Sequence, residues 1–356
     1  MIMLNRSPAR LTMPASMMRS TDDARRADDP SVRRPRVMDA APKPCVICLG
    51  HTTLDFVWTV DALPHGNGKT AARSYACRGG GMAATAAVAA ARLGAFAQFW
   101  GRAGDDAAGT AMRAELAGHG VDATHLRLFQ GACSSVSSVV VDASGERMLV
   151  NFRGADLPVD PSWLPLNTVR GADIVLADPR WPEGALALFA QARSAGIPSI
   201  LDGDVAEPAV FDALLPHVDY AVFSSEGLAC YVDRPHHALD IEKALGAACA
   251  KGCRVAAVTL GDRGVAWLDG TTIQQMPAFA VDVVDTNGAG DVFHGALAFA
   301  LGARWHLRDA LLFSSAAAAL KCTSAGPRNG IPDFASTMSF LGSEQEVARR
   351  TVPPLG

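Results

Sequence analysis

From residue 171 onward the chain alternates short apolar runs with helical patterns, and this rhythm constrains the fold more than any other feature. Asp173-Ile174-Val175-Leu176-Ala177-Asp178 reads as a strand, 184–195 as a helix, and Pro198-Ser199-Ile200-Leu201-Asp202-Gly203-Asp204 as the next strand. Tyr220 to Phe223, a helix over 241–250 and Val255 to Leu260 continue the series. Strands that are apolar throughout, separated by helices, predict a mostly parallel sheet covered on both faces. Cys45-Val46-Ile47-Cys48-Leu49-Gly50 is another such strand, and Asp55 follows shortly after it. Ligands of open α/β sheets bind beyond the carboxyl ends of the strands, which is where this carboxylate falls; a loop cap is the plainer reading.

The second constraint is the stretch Asp285-Thr286-Asn287-Gly288-Ala289-Gly290-Asp291, which opens into an apolar helix starting Val292-Phe293-His294-Gly295. A glycine turn at a helix start leaves backbone N–H groups unpaired and backed by the positive dipole end, an arrangement suited to a phosphate oxygen. Asp291 sits beside it, either as a base or as a helix cap. Near a helix N-terminus it is expected to stay ionised and act as a weak base. Gly79-Gly80-Gly81 feeds a small-residue helix that ends at Gly94, and Thr259-Leu260-Gly261-Asp262-Arg263-Gly264 is a strand end turning into a loop. No glycine cluster closes with the Lys-Ser/Thr of a Walker loop.

These three signatures, in this order, resemble those of the ribokinase-like (PfkB) sugar kinases, over residues 44–335. The resemblance implies a three-layer α/β sandwich with a mostly parallel central sheet and a small β-strand lid. The lid strands are expected at about 56–78 and 134–153, with the second hairpin turning at Asp142 to Glu146, and in the family such lids pair with a twin in a homodimer. The resemblance also implies ATP and Mg²⁺. Asp291 takes the proton from the sugar hydroxyl, and Gly288, Ala289 and Gly290 steady the phosphoryl group. Asp55, Gly80, Gly81 and Thr85 hold the sugar, although many members carry Asn where Thr85 stands. Thr259, Gly261 and Gly264, with Gly288 and Gly290, hold the nucleotide, and the helix Leu311 to Cys322 walls the adenine. The family's Asn-x-x-Glu magnesium motif is degraded near Ser224-Ser225-Glu226-Gly227, leaving Glu226 as a shifted metal candidate. In relatives, the Asp285 loop and the region around Gly326 can hold a monovalent cation.

A narrower resemblance, to the 6-deoxy-6-sulfofructose kinase branch, rests on Gly-Gly-Gly-x-Ala-Ala-Thr at 79–85, Leu-Ala-Asp-x-Arg-Trp at 176–181 and Leu-Asp-Gly-Asp at 201–204. Asp-Val-Phe-His-Gly at 291–295 and Ala-Leu-Lys-Cys-Thr followed by Gly-Ile-Pro-Asp complete it. It implies that Lys69, Asn151 and Arg180 bind the sulfonate, whose three acceptor oxygens suit an ammonium, an amide and a guanidinium. The product is then the 1-phosphate. Fructose, ribose, a keto-deoxy sugar acid or a sugar phosphate remain alternatives, as does a non-catalytic sugar sensor of the same fold.

Composition narrows the rest. A net charge of −4 argues against a nucleic-acid binder, and no apolar stretch is long enough to span a membrane. Eight cysteines in 356 residues are too sparse for a disulfide scaffold. Cys45 and Cys48 read as buried thiols, and Cys249 and Cys253 lack a histidine at zinc spacing. Residues 1–43, rich in Arg, Asp, Pro and Ser, are expected to form a disordered tail, and 336–356 a peripheral one. Met38 leaves an internal start open. A cytoplasmic location is expected.

Overall fold

The computed structural model describes residues 43–351, so the tail expected over 1–43 lies, apart from Lys43, outside the described residues. Strand β1 (Cys45–Gly50) is apolar and stands inside the sheet. The chain leaves it for β2 (Thr53–Thr59) and β3 (Ser74–Gly80), then returns through α1 (Met82–Arg92), β4 (Phe96–Gly104), α2 (Ala107–Gly118) and β5 (Leu126–Phe129). A hairpin of β6 (Val136–Val141) and β7 (Arg147–Phe152) leaves it again. The regular alternation follows: β8 (Ile174–Ala177), α3 (Pro182–Ala195), β9 (Ser199–Gly203), α4 (Pro208–Leu214), β10 (Tyr220–Ser224), α5 (Ser225–Tyr231), α6 (Ile241–Ala250) and β11 (Val255–Thr259). An antiparallel pair, β12 (Val265–Asp269) and β13 (Thr272–Met276), precedes α7 (Ala289–Gly302), α8 (Leu307–Cys322) and α9 (Phe334–Thr351).

The nine-stranded sheet runs β13-β12-β11-β10-β9-β8-β1-β4-β5. It is parallel from β5 to β11, and only β12 is inverted. Alternate residues of β1 feed two separate cores, as a two-periodic strand must. Val46 and Cys48 pack with α1, α7 and α8, while Ile47 and Leu49 pack with α3, α4 and α6. The three-layer α/β sandwich expected from the alternation is the observed fold. Helix α1 is buried from Ala83 to Ala90 because its residues are small, and it lies so close to α7 that a methyl group on Gly295 would meet the Ala86 carbonyl at 2.3 Å. Small residues here set the spacing between the two helices. The C-terminal segment expected to be peripheral begins inside α9, where Thr337 and Leu341 are buried.

The second sheet, in the order β3-β2-β6-β7, has β2 and β6 parallel at its centre. Register puts Asp55, Arg78, Ser137 and Asn151 side by side on one face. The other face carries Phe56, Trp58, Tyr75, Met148, Val150 and Phe152, and most of these are exposed. Lys69, expected within a strand, lies instead in the exposed segment between β2 and β3, where Gly66 and Gly68 interrupt any ladder.

One buried carboxylate ties the two parts together. Asp178, just past β8, accepts the N–H of His51 (2.6 Å) after β1, of Ala83 (3.2 Å) in the first turn of α1, and of Arg180 (2.9 Å). Gly50 must be glycine, since a methyl there would sit 2.2 Å from the Asp178 carboxylate. Replacing Asp178 by alanine leaves three N–H groups without this acceptor. It is expected to lower unfolding free energy by at least about 3 kcal/mol in urea titrations monitored by tryptophan fluorescence.

Candidate active site

Gly288 is the N-cap of α7 and takes the left-handed conformation (φ 79°) that glycine adopts without cost. Asp285 shapes the loop before it: its Oδ1 accepts the Asn287 N–H at 2.9 Å, and its Oδ2 the Gly326 N–H at 2.8 Å. Ala289 N–H is satisfied by Thr286 O, whereas Gly290 and Asp291 have no backbone acceptor among the described residues. No heavy atom lies within 4 Å of where a Gly290 side chain would start, so backbone faces open space. That space is the end of a cavity of about 600 Å³. Thr259, Gly261 and Gly264 line its far side, Thr286, Ala289 and Gly290 the near side, and Ser315, Ala318 and Ala319 of α8 one wall. The glycine turn, the Thr259–Gly264 loop and the C-terminal helix therefore meet around one slot. Its walls are mostly apolar, with the open Gly290 backbone at the α7 end, a combination that suits a flat base followed by a charged chain.

Asp291, in the first turn of α7, adjoins the end of that slot and lies within reach of Arg328, whose charge also acts on Asp55 of the lid sheet. Contrary to the expectation that it stays ionised, its carboxyl is pushed up to about 8, first by burial and then by the Asp202 carboxyl and, more weakly, Asp204. His294 and Arg328 act in the opposite direction. Proximity of carboxylates outweighs the helix end. Asp202 is itself buried with Oδ2 unbonded, and its carboxyl is raised by burial, Asp204 and Asp178. Beside it His294 is held on both ring nitrogens, Nδ1 at 2.8 Å from Gly290 O and Nε2 at 3.1 Å from Val222 O, with Nδ1 3.5 Å from Asp202. The imidazole thus links the strand end of β10 to the turn that carries Asp291.

On the lid side, Asp55 occupies the space that a Gly80 side chain would fill, 2.3 Å from the methyl position. Its carboxyl is raised by burial and drawn back by a Ser137 hydrogen bond and the Arg328 charge. Asn151 Nδ2 donates to Ser137 Oγ at 3.0 Å, so Asn151 and Asp55 share one serine. Gly81 is the N-cap of α1 (φ 93°). Thr85 is fully buried, and its hydroxyl accepts Arg328 Nε at 3.2 Å. Arg328 also donates to Gly80 O at 2.9 Å and pairs with Glu115. It is buried and influences both Asp55 and Asp291, yet the sequence offered only its place in the Gly326-to-Pro332 loop.

The three residues expected around an anionic group are not in mutual contact. Arg180 donates to Val205 O (2.9 Å) and to Asp204 Oδ2 (3.1 Å), Asn151 points at Ser137, and Lys69 is exposed. Glu226 is exposed on α5. Ser224 caps that helix through the Gly227 N–H (2.9 Å), and a side chain on Gly227 would meet Gly203 O at 2.0 Å. A carboxylate has no room there; the nearest one to Ser224 is Asp204, at 3.5 Å. Among the described residues no three carboxylate, histidine or cysteine side chains gather as a metal cage, and no helix is long and apolar enough to cross a membrane.

Comparison with known proteins places the chain in a family. The ribokinase of Bacillus subtilis strain 168 is 31% identical over 291 residues, covering 81% of this chain and 95% of its own. The fructokinase of Solanum tuberosum is 28% identical over 319 residues, covering 83% and 95%. The structure of Arabidopsis thaliana ribokinase complexed with ribose and ATP superposes with a TM-score of 0.75 at 26% identity, covering 84% of this chain and 99% of that one. A model of the pfkB family carbohydrate kinases matches residues 43–333, and the chain belongs to that family of ATP-dependent sugar kinases.

Proposed function

We propose that this kinase transfers the γ-phosphoryl group of ATP to a primary hydroxyl of a furanose sugar of the ribose or fructose class. The observation that carries the reading is Asp291 beside a turn of unpaired N–H groups, with the Arg328 charge acting both on it and on Asp55 of the lid face. Phosphoryl transfer needs alignment, charge stabilisation and a base at the attacking oxygen. Asp291 accepts the hydroxyl proton, and the Gly288-Ala289-Gly290 backbone stabilises charge on the moving group. Asp55 and the Gly80-Gly81 turn orient the sugar; Thr259, Gly261 and Gly264 flank the nucleotide. The names of the relatives, ribokinases and fructokinases, support the sugar class. Mg²⁺ fits as an ion carried mainly by the ATP phosphates and water, with Asp204 rather than Glu226 the carboxylate at hand. It neutralises phosphate charge.

A second reading, an anionic ketose such as 6-deoxy-6-sulfofructose going to its 1-phosphate, has one specific support. Arg180 and Arg153 both lie near enough to act on His51, just past β1, although the Asp178 carboxylate acts on it more strongly in the opposite sense. In this reading Arg180 exchanges Asp204 for the anion, aided by Asn151 and by Lys69 from the lid loop. The exposed apolar lid face, Trp58, Tyr75, Met148, Val150 and Phe152, is assigned in the same proposal to a second copy of the chain.

Four measurements check these readings. Asp291→Asn is expected to keep sugar and nucleotide affinity within a few fold and to lose at least about 10³-fold in kcat; unchanged turnover would remove Asp291 from the chemistry. A base with a carboxyl pushed up to about 8 works only when deprotonated. Wild-type kcat/KM therefore rises with pH, about tenfold per unit well below 8, and levels above it. A profile flat from pH 6 to 9 contradicts this (the range brackets the value of about 8). Arg180→Ala tests the substrate class: an anionic-sugar kinase loses its preference for sulfofructose over fructose and ribose, whereas a neutral-sugar kinase keeps its ranking. For the lid, Val150→Asp is expected to halve the mass measured by light scattering, and a monomeric wild type would end that assignment.

A further inference from the structure

The Asp285 loop and the segment following α8, where relatives can hold a monovalent cation, are bridged here by side chains of the chain itself. Lys321, in the last turn of α8, is wholly buried, and its Nζ donates to the main-chain oxygen of Asp285 at 2.7 Å. The two segments are already laced together. Val284 and Asp285 N–H groups both donate to Cys322 O, at 2.8 and 3.1 Å, and the Gly326 N–H reaches the Asp285 carboxylate at 2.8 Å. The other oxygen of that carboxylate pairs with Arg147, which comes from the lid strand β7 at 2.5 Å.

We propose that the Lys321 ammonium is the resident cation of this loop pair, so that the nucleotide site is organised without added potassium or sodium. An alkali ion at such a place does two things: it gathers carbonyl oxygens, and it puts one positive charge beneath the phosphate-binding turn. An ammonium does both at the separation seen here, and its tether removes the cost of capturing an ion from solution. Burying a lysine is unfavourable unless it is hydrogen-bonded and faces negative charge, and the Asp285 carbonyl and carboxylate supply both. Lys321 also belongs to the helix that walls the cavity, and Asp285 begins the turn that ends at Asp291. The ammonium therefore locks the wall to the turn. A further cation would face Lys321 and Arg147 together, a like-charge contact that opposes its entry. The claim rests on the kinase reading only where nucleotide binding is used to test it.

The experiment uses the full chain in tetramethylammonium buffer, with or without KCl at constant ionic strength. It measures the thermal midpoint and the dissociation constant of a non-hydrolysable ATP analogue with Mg²⁺. Wild type is expected to show the same midpoint and the same affinity, within twofold, in both salts. Lys321→Met is expected to weaken analogue binding about tenfold without potassium, equivalent to about 1.4 kcal/mol, and to regain most of it in KCl or NH₄Cl. Wild-type affinity or midpoint that climbs severalfold or by several degrees with potassium would overturn the proposal, as would a folded Lys321→Met protein that binds normally in both salts. If the variant does not fold, the wild-type comparison alone decides. A wild type that binds no analogue in either salt would refute the kinase reading, and the midpoint would still judge the cation.

Discussion

The site depends on one buried carboxylate bonded to backbone. In an open parallel sheet the crevice opens where successive strands depart in opposite directions, and here that point lies between β1 and β8. Asp178 fills it, taking N–H groups from the end of β1, the start of α1 and its own loop. A carboxylate in this position satisfies three donors that no strand partner can reach. It also fixes the direction in which the chain leaves β1 toward the lid. Gly50 follows from it, because only a missing side chain leaves room for the carboxylate. Asp55 and Arg180, on the two arms leaving this junction, inherit their positions from it.

Charge at the site is arranged as a gradient. Asp178, Asp202, Asp204 and Asp291 lie at neighbouring strand and helix ends, and their mutual repulsion with burial is what raises Asp202 and Asp291. Opposing them are Arg180 on Asp204 and Arg328, which acts on both Asp55 and Asp291. The N–H groups of the α7 turn stand at the edge of this cluster and point into the cavity. A substrate bringing phosphate and Mg²⁺ changes the balance at once, since the ion adds positive charge where carboxylates are crowded. Arg147 reaches from the lid to Asp285, and Lys321 reaches the same residue from α8. Lid, turn and cavity wall thus converge on one loop.

Much of this was legible in the residues. The alternation of apolar runs and helical patterns is a local property, so the layers and most strand positions follow from it. The glycine turn at 288–290 likewise announces itself by composition and by the helix that follows. What stayed hidden is non-local. The raised carboxyl of Asp291 comes first from burial in the folded chain and then from Asp202, nearly ninety positions away along the chain (291 against 202). Arg328 draws its importance from Thr85, Gly80 and Glu115, none of which its own loop reveals. Lys321 reads as the polar end of an apolar helix until its partner, a main-chain oxygen with no sequence mark, is seen. The β12–β13 pair went unread in the sequence, because a short hairpin after a glycine loop offers a weak pattern. Lys69 shows the opposite error, in which residues of mixed character beside real strand sequence read as strand although two glycines break the ladder.

The most direct test of the account is phosphorus NMR of the protein incubated with ATP, Mg²⁺ and, in separate tubes, ribose, fructose and sulfofructose. The account predicts one new phosphomonoester signal on a primary sugar carbon, growing in step with ADP, in at least one tube and absent from the Asp291→Asn protein. Release of inorganic phosphate at the same rate with and without every sugar, and no phosphomonoester in any tube, would contradict it.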